Sequence, residues 1–220
     1  MITKNAYRSI ATVAVLALAC AVSLAATVSN KTALDGTRAN TSESNFGNLV
    51  ADAARSQGAA DAAIIPASEL RPVVIPAGPV DSEKIVAALR ASSDTTDTVV
   101  VLKLTGAQLK KAFERSVSRT PSPYEGFLQV SGLCVTYDTS KGNGSRIVDI
   151  TIGGKSIQPG QGYNIATTRL LSDGALGYFE IWSRSDIANN TGVPLAKAVG
   201  DFAISRQPLN YATEGRIIGR

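Results

Sequence analysis

The chain has 220 residues, of which 44% are hydrophobic and 18% are charged, and it carries a formal net charge of +4. This composition excludes a disordered or fibrous chain, and the length suits one well-cored domain. The sequence contains no histidine. Because serine, cysteine and metal-dependent hydrolases nearly all use imidazole as a base or a ligand, we expect no catalytic residue, no bound metal and no cofactor.

The first 26 residues have the order of a secretory signal. Two basic residues precede an apolar run from residue 10 to about residue 22, and small residues follow, with cleavage expected near Ala25 or Ala26. The run is shorter than the roughly 20 residues that span a bilayer. We therefore predict a secreted or periplasmic protein without a membrane span in its mature form. Two alternatives stay open, a lipid anchor at Cys20 and an N-terminal anchor that is not cleaved.

The basic charge of the whole chain indicates little about its partners. Loss of residues 1–26 removes Lys4 and Arg8 and no acidic residue, so the net charge falls from +4 to +2. No cluster of Lys and Arg favours nucleic-acid binding. Cys134 is then the remaining cysteine, which excludes an intramolecular disulfide, and its apolar surroundings in "GLCVTY" predict a buried structural thiol.

In chain order, residues 27–40 are polar and aperiodic and are predicted to form a flexible lead-in, followed by one domain over residues 41–220. In "FGNLVADAA" apolar residues recur at helical spacing after Ser and Asn caps, which predicts an amphipathic helix ending near Gly58. The strand "DAAII" and a proline-rich extended connection over residues 66–80 come next.

Helices and strands alternate after that connection and strands cluster beyond residue 120, so we predict an α+β fold, a mixed β-sheet with packed helices. Helices are predicted over residues 80–91, 109–117 and 193–205. Strands are predicted over residues 98–104, 127–138, 145–154, 156–168 and 214–218.

Four stretches resemble the C-terminal, substrate-binding domain of the bacterial and animal 5'-nucleotidases and UDP-sugar hydrolases. They are "ESNFGNLVADA", "LTGAQLKKAFERSVS", "GFLQVSGLCVTYD" and "EGRI", and the resemblance runs from about Thr41 to Arg220. In that family an N-terminal metallophosphoesterase domain holds two metal ions, whereas the C-terminal domain carries the nucleotide-binding pocket. The resemblance therefore implies the substrate half of such an enzyme without its catalytic half.

The resemblance also implies where a ligand would bind. Family members have an apolar strand that ends in Asn-Gly-Gly-Gly-Ile-Arg, whose Asn and Arg contact the ribose and phosphate. The same place here reads "PASELR", residues 66–71, and only Arg71 matches. Pro66 lacks a backbone donor, and Glu69 would repel phosphate. Arg71 is either a ligand contact or a surface arginine paired with Glu69 or Asp81.

Two phenylalanines stack the base in the family, and neither is matched here. The first aligns within residues 94–98, "DTTDT", and the second aligns with Leu170. Leu176 stands where the family has a ribose-binding Asp, and Ser42 stands where it has an Arg. Loss of two stacking faces, at roughly 1–3 kcal/mol each, corresponds to about 1.5 to 4.5 orders of magnitude in affinity. Nucleotide binding of the family type is therefore not expected.

Three further candidates for substrate binding remain. Asn45 and Asn48 match the "SNxGNL" helix start of the family, where they either contact a ligand or cap and pack the helix. Tyr178 either belongs to a rebuilt aromatic pocket or lies in the core, together with Tyr124, Phe127 and Trp182.

From these observations we expect a secreted, stand-alone domain that is catalytically inert by itself. It would bind a nucleotide or nucleoside-like small molecule, or act as an interaction module. The alternative is the specificity half of a split nucleotide-hydrolysing enzyme, whose metallophosphatase domain is a separate partner chain.

Overall fold

The computed structural model describes residues 26–220, so the predicted signal sequence lies outside the described residues except for Ala26. The helices are α1 (Asn45–Gly58), α2 (Ser82–Ala87), α3 (Gly106–Ser116), α4 (Arg169–Ser172) and α5 (Leu195–Ser205). The strands are β1 (Thr27–Asn30), β2 (Leu34–Asp35), β3 (Ala62–Pro66), β4 (Val74–Ile75), β5 (Gly78–Asp81), β6 (Thr98–Thr105), β7 (Leu128–Ser131), β8 (Leu133–Tyr137), β9 (Ile147–Ile152), β10 (Lys155–Ser156), β11 (Gly162–Thr168), β12 (Ile187–Pro194) and β13 (Ile217–Gly219).

The main sheet has five strands in the order β12-β6-β11-β3-β7. Neighbouring strands are antiparallel except β3 and β11, which run parallel. The β-branched run "TVVVLKLT" of β6 is buried almost throughout because packed elements cover both faces of the sheet. Helix α1 packs across β7, β3 and β11 with its predicted apolar stripe.

A second, four-stranded sheet has the order β10-β9-β8-β13, with β13 parallel to β8. The two sheets and their helices confirm the predicted α+β fold. Helix α2 is shorter than predicted because Leu89 leaves the helical path and pairs with Leu70 in an isolated bridge.

The prediction of a flexible lead-in over residues 27–40 is wrong. Strand β1 pairs antiparallel with β5, and β2 pairs with β4, so the proline-rich connection supplies the partners. Val28 and Leu34 are fully buried and Asn30 nearly so. Side chains alternate along a strand, so one face of each short strand packs into the core. The segment as a whole is nevertheless polar, which is why its sequence did not predict strands.

The prediction of a buried thiol at Cys134 is also wrong. Along β8 the residues alternate, so that Leu133, Val135 and Tyr137 point into the core and Cys134 is exposed. None of the helices within residues 26–220 is long and apolar enough to cross a membrane.

Candidate functional site

Three of the stretches singled out by the sequence meet at one edge of the main sheet. Residues 66–71 follow β3, residues 94–98 lead into β6, and α4 follows β11. Because β3 and β11 are parallel and β6 runs against them, the ends of the first two strands and the start of the third share this edge. The edge therefore brings together loops that lie up to about a hundred positions apart in sequence.

Two carboxyl groups lie where these loops meet. The side chain of Glu69 contacts that of Asp97, and Asp97 Oδ1 accepts a hydrogen bond of 3.0 Å from the Leu170 backbone N–H. Glu69 is 3% exposed and Asp97 is 7% exposed. Within residues 26–220, Glu69 Oε1 and Asp97 Oδ2 have no other hydrogen-bond partner. The sequence suggested only that Glu69 would repel phosphate, and it did not indicate this pairing.

Protonation of the pair follows from its burial. Desolvation, with repulsion from Asp97 added, raises the pKa of Glu69 to about 8. Desolvation also raises the pKa of Asp97 above its usual range, against the Leu170 hydrogen bond. Glu69 is therefore protonated at neutral pH, and the pair carries at most one negative charge rather than two.

The loop that resembles the nucleotide-binding turn of the family is closed. Residues Ala67–Glu69 form one turn of 3₁₀-helix directly after β3. Its backbone donors are used internally at 2.8–3.0 Å: the N–H groups of Ala67, Ser68, Leu70 and Arg71 donate to the carbonyls of Phe127, Glu125, Ala67 and Ala88, respectively. A backbone that cradles a phosphate must instead leave such N–H groups free to point at it.

Arg71 lies on the surface at the end of this loop. Its Nε donates to the Leu89 carbonyl at 3.1 Å, and Nη2 lies 3.5 Å from the Arg90 carbonyl. Its surface position agrees with the second interpretation, but within the described part of the chain it makes no ion pair with Glu69 or Asp81, so that part of the prediction is wrong. The cation beside the carboxyl pair is Arg90, which sequence reasoning missed.

Arg90 crosses from the start of the α2–β6 connection to the loop. Its Nε donates to the Leu70 carbonyl at 3.1 Å, and Nη2 lies 3.4 Å from Glu125. Its signal in sequence was weak, because an isolated arginine after a helix is usually a solvated surface residue.

Asn45 and Asn48 have structural contacts at the start of α1. The amide of Asn45 accepts from the Asp35 N–H at 2.7 Å and donates to the carbonyls of Ala33 and Tyr211. Asn48 is fully buried and donates to Glu43 at 2.7 Å. Both side chains join α1 to neighbouring segments, and neither bonds to the loops around Glu69 and Asp97.

Tyr178 is a core residue. Its side chain is inaccessible, its hydroxyl donates to the Gly126 carbonyl at 2.7 Å, and its ring stacks on Trp182 at a centroid distance of 4.9 Å. Phe127 and Trp182 are buried as well. The hydroxyl of Tyr124 donates to the Leu176 carbonyl at 2.9 Å. The aromatic residues thus pack in the core beneath the loop around Leu176, and they do not line an open pocket.

Two apolar side chains are exposed on the segment that follows β11, and the first of them adjoins Asp97. Leu170 in α4 is 52% exposed, and Phe179 in the following 3₁₀ segment is 67% exposed. Leu176 between them has a φ of 58°, a conformation that costs a non-glycine residue roughly 1–2 kcal/mol. No group of three or more Asp, Glu or Cys side chains within residues 26–220 is arranged to hold a metal ion.

Comparison with known proteins agrees with this architecture. The family model "5'-nucleotidase, C-terminal domain" matches residues 22–183. A snake venom 5'-nucleotidase of Macrovipera lebetinus is 31% identical over 129 residues, and the 5'-nucleotidase of Bos taurus is 30% identical over 128 residues. Each alignment covers 54% of this chain but only 31% and 22% of the respective relative.

Solved structures show the same correspondence. The 5'-nucleotidase precursor from Thermus thermophilus superposes with a TM-score of 0.78 at 26% identity, covering 87% of this chain and 39% of that one. The NAD nucleotidase of Haemophilus influenzae shares the fold, with a TM-score of 0.74 at 17% identity and coverage of 87% and 37%. In every one of these comparisons the chain spans less than half of the relative's length. The chain therefore belongs to the 5'-nucleotidase C-terminal domain family.

Proposed function

We propose that this chain is a secreted nucleotidase C-terminal domain that hydrolyses no nucleotide by itself and binds an uncharged, nucleoside-like molecule. The closed loop over residues 66–71 carries the proposal. Its N–H groups are bonded to protein carbonyls, and the buried carboxyl pair of Glu69 and Asp97 lies where family resemblance implies the contacts to ribose and phosphate. The loop therefore has no free N–H groups for a phosphate dianion, whereas a neutral sugar or base does not need such a cradle.

Hydroxyl or amide donors are the groups that suit this edge. Glu69 and Asp97 form a buried pair of acceptor-bearing side chains at this edge, and the exposed Leu170 offers an apolar surface beside them. A nucleoside combines ribose hydroxyl donors with an apolar base face, so it matches both features.

Ligand preference is measurable by thermal shift with adenosine, uridine, AMP, UMP and UDP-glucose. A bound ligand stabilises by RT ln(1 + [L]/Kd), so weak binding becomes visible at millimolar concentrations. We expect the nucleosides to raise the melting temperature more than the matching nucleotides do. Greater stabilisation by AMP than by adenosine, reduced in Arg71→Ala, would instead assign Arg71 to phosphate binding.

Hydrolysis is tested separately with AMP and UDP-glucose in the presence of Mn²⁺ or Zn²⁺. We expect phosphate release no greater than in a protein-free blank, with the 5'-nucleotidase of Thermus thermophilus as the positive control. Release above the blank that co-purifies with this chain would contradict catalytic inertness.

Export is tested by expressing the whole chain and measuring the mass of the protein outside the cytoplasm. We expect a mass that lacks the segment up to Ala25 or Ala26. A mass increased by lipid on a chain that begins at Cys20 would support the lipid anchor, and an unchanged full mass would support an uncleaved anchor.

The exposed pair Leu170 and Phe179 favours a second candidate function, the specificity half of a split enzyme. Large apolar side chains exposed beside a site are a common mark of protein contact. Mixing the chain with a separately encoded, histidine-bearing metallophosphatase should then release more phosphate from AMP than the two chains release apart. The excess should be lost in Phe179→Ser and kept in Val148→Ser, which changes an exposed apolar residue in β9.

A further inference from the structure

A second cavity, of about 910 Å³, lies apart from the edge that holds Glu69 and Asp97. It is open to solvent and is lined by the C-terminal ends of α1 and α5, the β7–β8 turn and the segment 208–216. None of its lining residues belongs to the loops of residues 66–71, 94–98 or 169–178. Its volume is in the range of pockets that hold small organic molecules.

One wall of this cavity is an ion-pair network without spare donors. Arg216, whose side chain is 13% exposed, donates to both oxygens of Asp52 at 2.7 and 3.1 Å and to the Val130 carbonyl at 2.9 Å. Its remaining donors bond to Glu214. Tyr211 donates to Asp52 at 3.0 Å. Both carboxylates in the wall are thereby paired with Arg216, and the Arg216 guanidinium has no donor left for a ligand.

Two other guanidinium groups line the cavity without such compensation. Arg55 projects from the last turn of α1 over Gly132, where an added Cβ would overlap its guanidinium. Arg206 follows α5 and lies over the Phe202 ring, 5.6 Å from the centroid. Within residues 26–220 neither guanidinium has a carboxylate within ion-pair distance or a hydrogen-bond acceptor. Gly132 and Phe202 thus hold two uncompensated positive charges at one concave surface.

We propose that this cavity binds a small organic anion whose phosphate or carboxylate group lies between Arg55 and Arg206. Guanidinium groups bind both kinds of anion through parallel N–H donors. Three arginines face two carboxylates in the lining, so the cavity as a whole is positive. Phe202 and Tyr211 supply an apolar surface for the organic part of the ligand.

A purely structural role for the two arginines makes a different prediction. A cation near a helix C-terminus is stabilised by the helix dipole, by roughly 0.3–1 kcal/mol at an exposed site. If this were their whole purpose, their removal would lower stability and no anion would bind at the cavity in a saturable way.

Isothermal titration of the full chain with pyrophosphate and with citrate separates these cases. We expect saturable binding that weakens with added salt, and at least about a tenfold loss of affinity in the double variant Arg55→Gln/Arg206→Gln, since charge-assisted hydrogen bonds are lost. The variant Arg38→Gln/Arg119→Gln, with the same change in net charge, should bind as the unchanged chain does. Pyrophosphate preferred over citrate indicates a phosphate ligand, and the reverse preference indicates a carboxylate.

Cys134 gives a second measurement that does not depend on the variants. It is exposed and lines the same cavity. In a Cys20→Ser chain, saturating anion should slow maleimide labelling of the Cys134 thiol. Equal affinity in the unchanged chain and the Arg55→Gln/Arg206→Gln variant, unchanged labelling, or absence of saturable binding to either anion would overturn the proposal. None of these results bears on the nucleoside binding proposed at the Glu69 edge, which is tested separately by thermal shift.

Discussion

The carboxyl group of Glu69 lies against that of Asp97 in the interior, although the two residues come from loops at the ends of different strands. The pair makes this edge of the sheet dependent on pH. In the same place, the resemblance to 5'-nucleotidases implies a glycine-rich turn, so the pair also accounts for the expected difference in ligand.

Stability should fall as the pH rises through the range in which Glu69 loses its proton. The pKa of Glu69 is about 8 in the folded chain and near 4.5 in the unfolded chain. Between these two values the folded state binds more protons than the unfolded state. The contribution of Glu69 to the free energy of unfolding is therefore fully present below pH 4.5, and it is lost as the pH rises through about 8. The loss is on the order of a few kcal/mol, because one pKa unit corresponds to about 1.4 kcal/mol.

The free energy of unfolding is measured with urea at about pH 5 and at about pH 8.5, because most of the loss is expected between these two values. In Glu69→Gln the free energy of unfolding should vary much less between the two values, because an amide donates to Asp97 without titrating. Glu83→Gln, at an exposed position of α2, should keep the full dependence. An equally steep decrease in Glu69→Gln would exclude this carboxyl as its source.

Restoring aromatic residues at the two implied stacking positions should strengthen nucleoside binding. Leu170 is half exposed, so a larger ring can be placed there, and Thr95 lies in the loop whose Asp97 accepts from the Leu170 N–H. Each stacking face contributes roughly 1–3 kcal/mol, so Thr95→Phe/Leu170→Phe should bind adenosine about 30-fold more tightly or better. Calorimetric titration measures the gain, and Val148→Phe serves as a control for added aromatic surface. An unchanged affinity in a folded double variant would mean that these positions do not face one ligand.

Gln129 should be among the residues most sensitive to substitution outside the apolar core. Its buried amide donates to the carbonyls of Ala39 and Ser42 at 2.7 and 2.8 Å and accepts from the Ser44 N–H at 2.9 Å. Leucine at this position would leave these buried groups unpaired, at about 1–3 kcal/mol each, so we expect Gln129→Leu to lose at least about 3 kcal/mol of stability. Denaturant unfolding should show no comparable loss in Gln161→Leu, at an exposed site.

The same contact accounts for the glycine in "NFGNL". A Cβ at Gly47 would overlap the Gln129 side chain, so the first turn of α1 and β7 approach closely only with glycine at that position. A Gln129→Leu chain as stable as the unchanged one would show that water satisfies the three backbone groups.

Glycine at position 59 should stabilise the chain. Ala59 follows α1 with a φ of 46°, a left-handed conformation that costs alanine roughly 1–2 kcal/mol, and it is exposed. Glycine relieves this strain, but it also raises the conformational entropy of the unfolded chain. The expected net increase in the free energy of unfolding is about 0.5–1 kcal/mol. Thermal unfolding should show a higher midpoint for Ala59→Gly and a lower one for Ala107→Gly, where the backbone of α3 is helical. A lower midpoint for Ala59→Gly would refute the strain.

Secondary structure was predictable wherever burial produces a period in the sequence. Helix α1 has a complete apolar stripe, and β6 is a β-branched run, so local preference and tertiary environment agree. Strand β12 lacked such a signal, because "IANNTGVP" is polar, half exposed and interrupted by register shifts at the edge of the sheet. Its existence depends on backbone pairing with β6, which side-chain pattern does not report.

The sequence by itself determined the family, the fold class and the loops that form the candidate site, because those depend on motifs and on local patterns of burial. Only the tertiary structure decided that Glu69 meets Asp97, that Tyr178 is core and that Cys134 is exposed. Each of these depends on which strands become neighbours and which face of a strand is covered. Such contacts join residues far apart in the chain, and their energies are set by burial and distance rather than by neighbours in sequence.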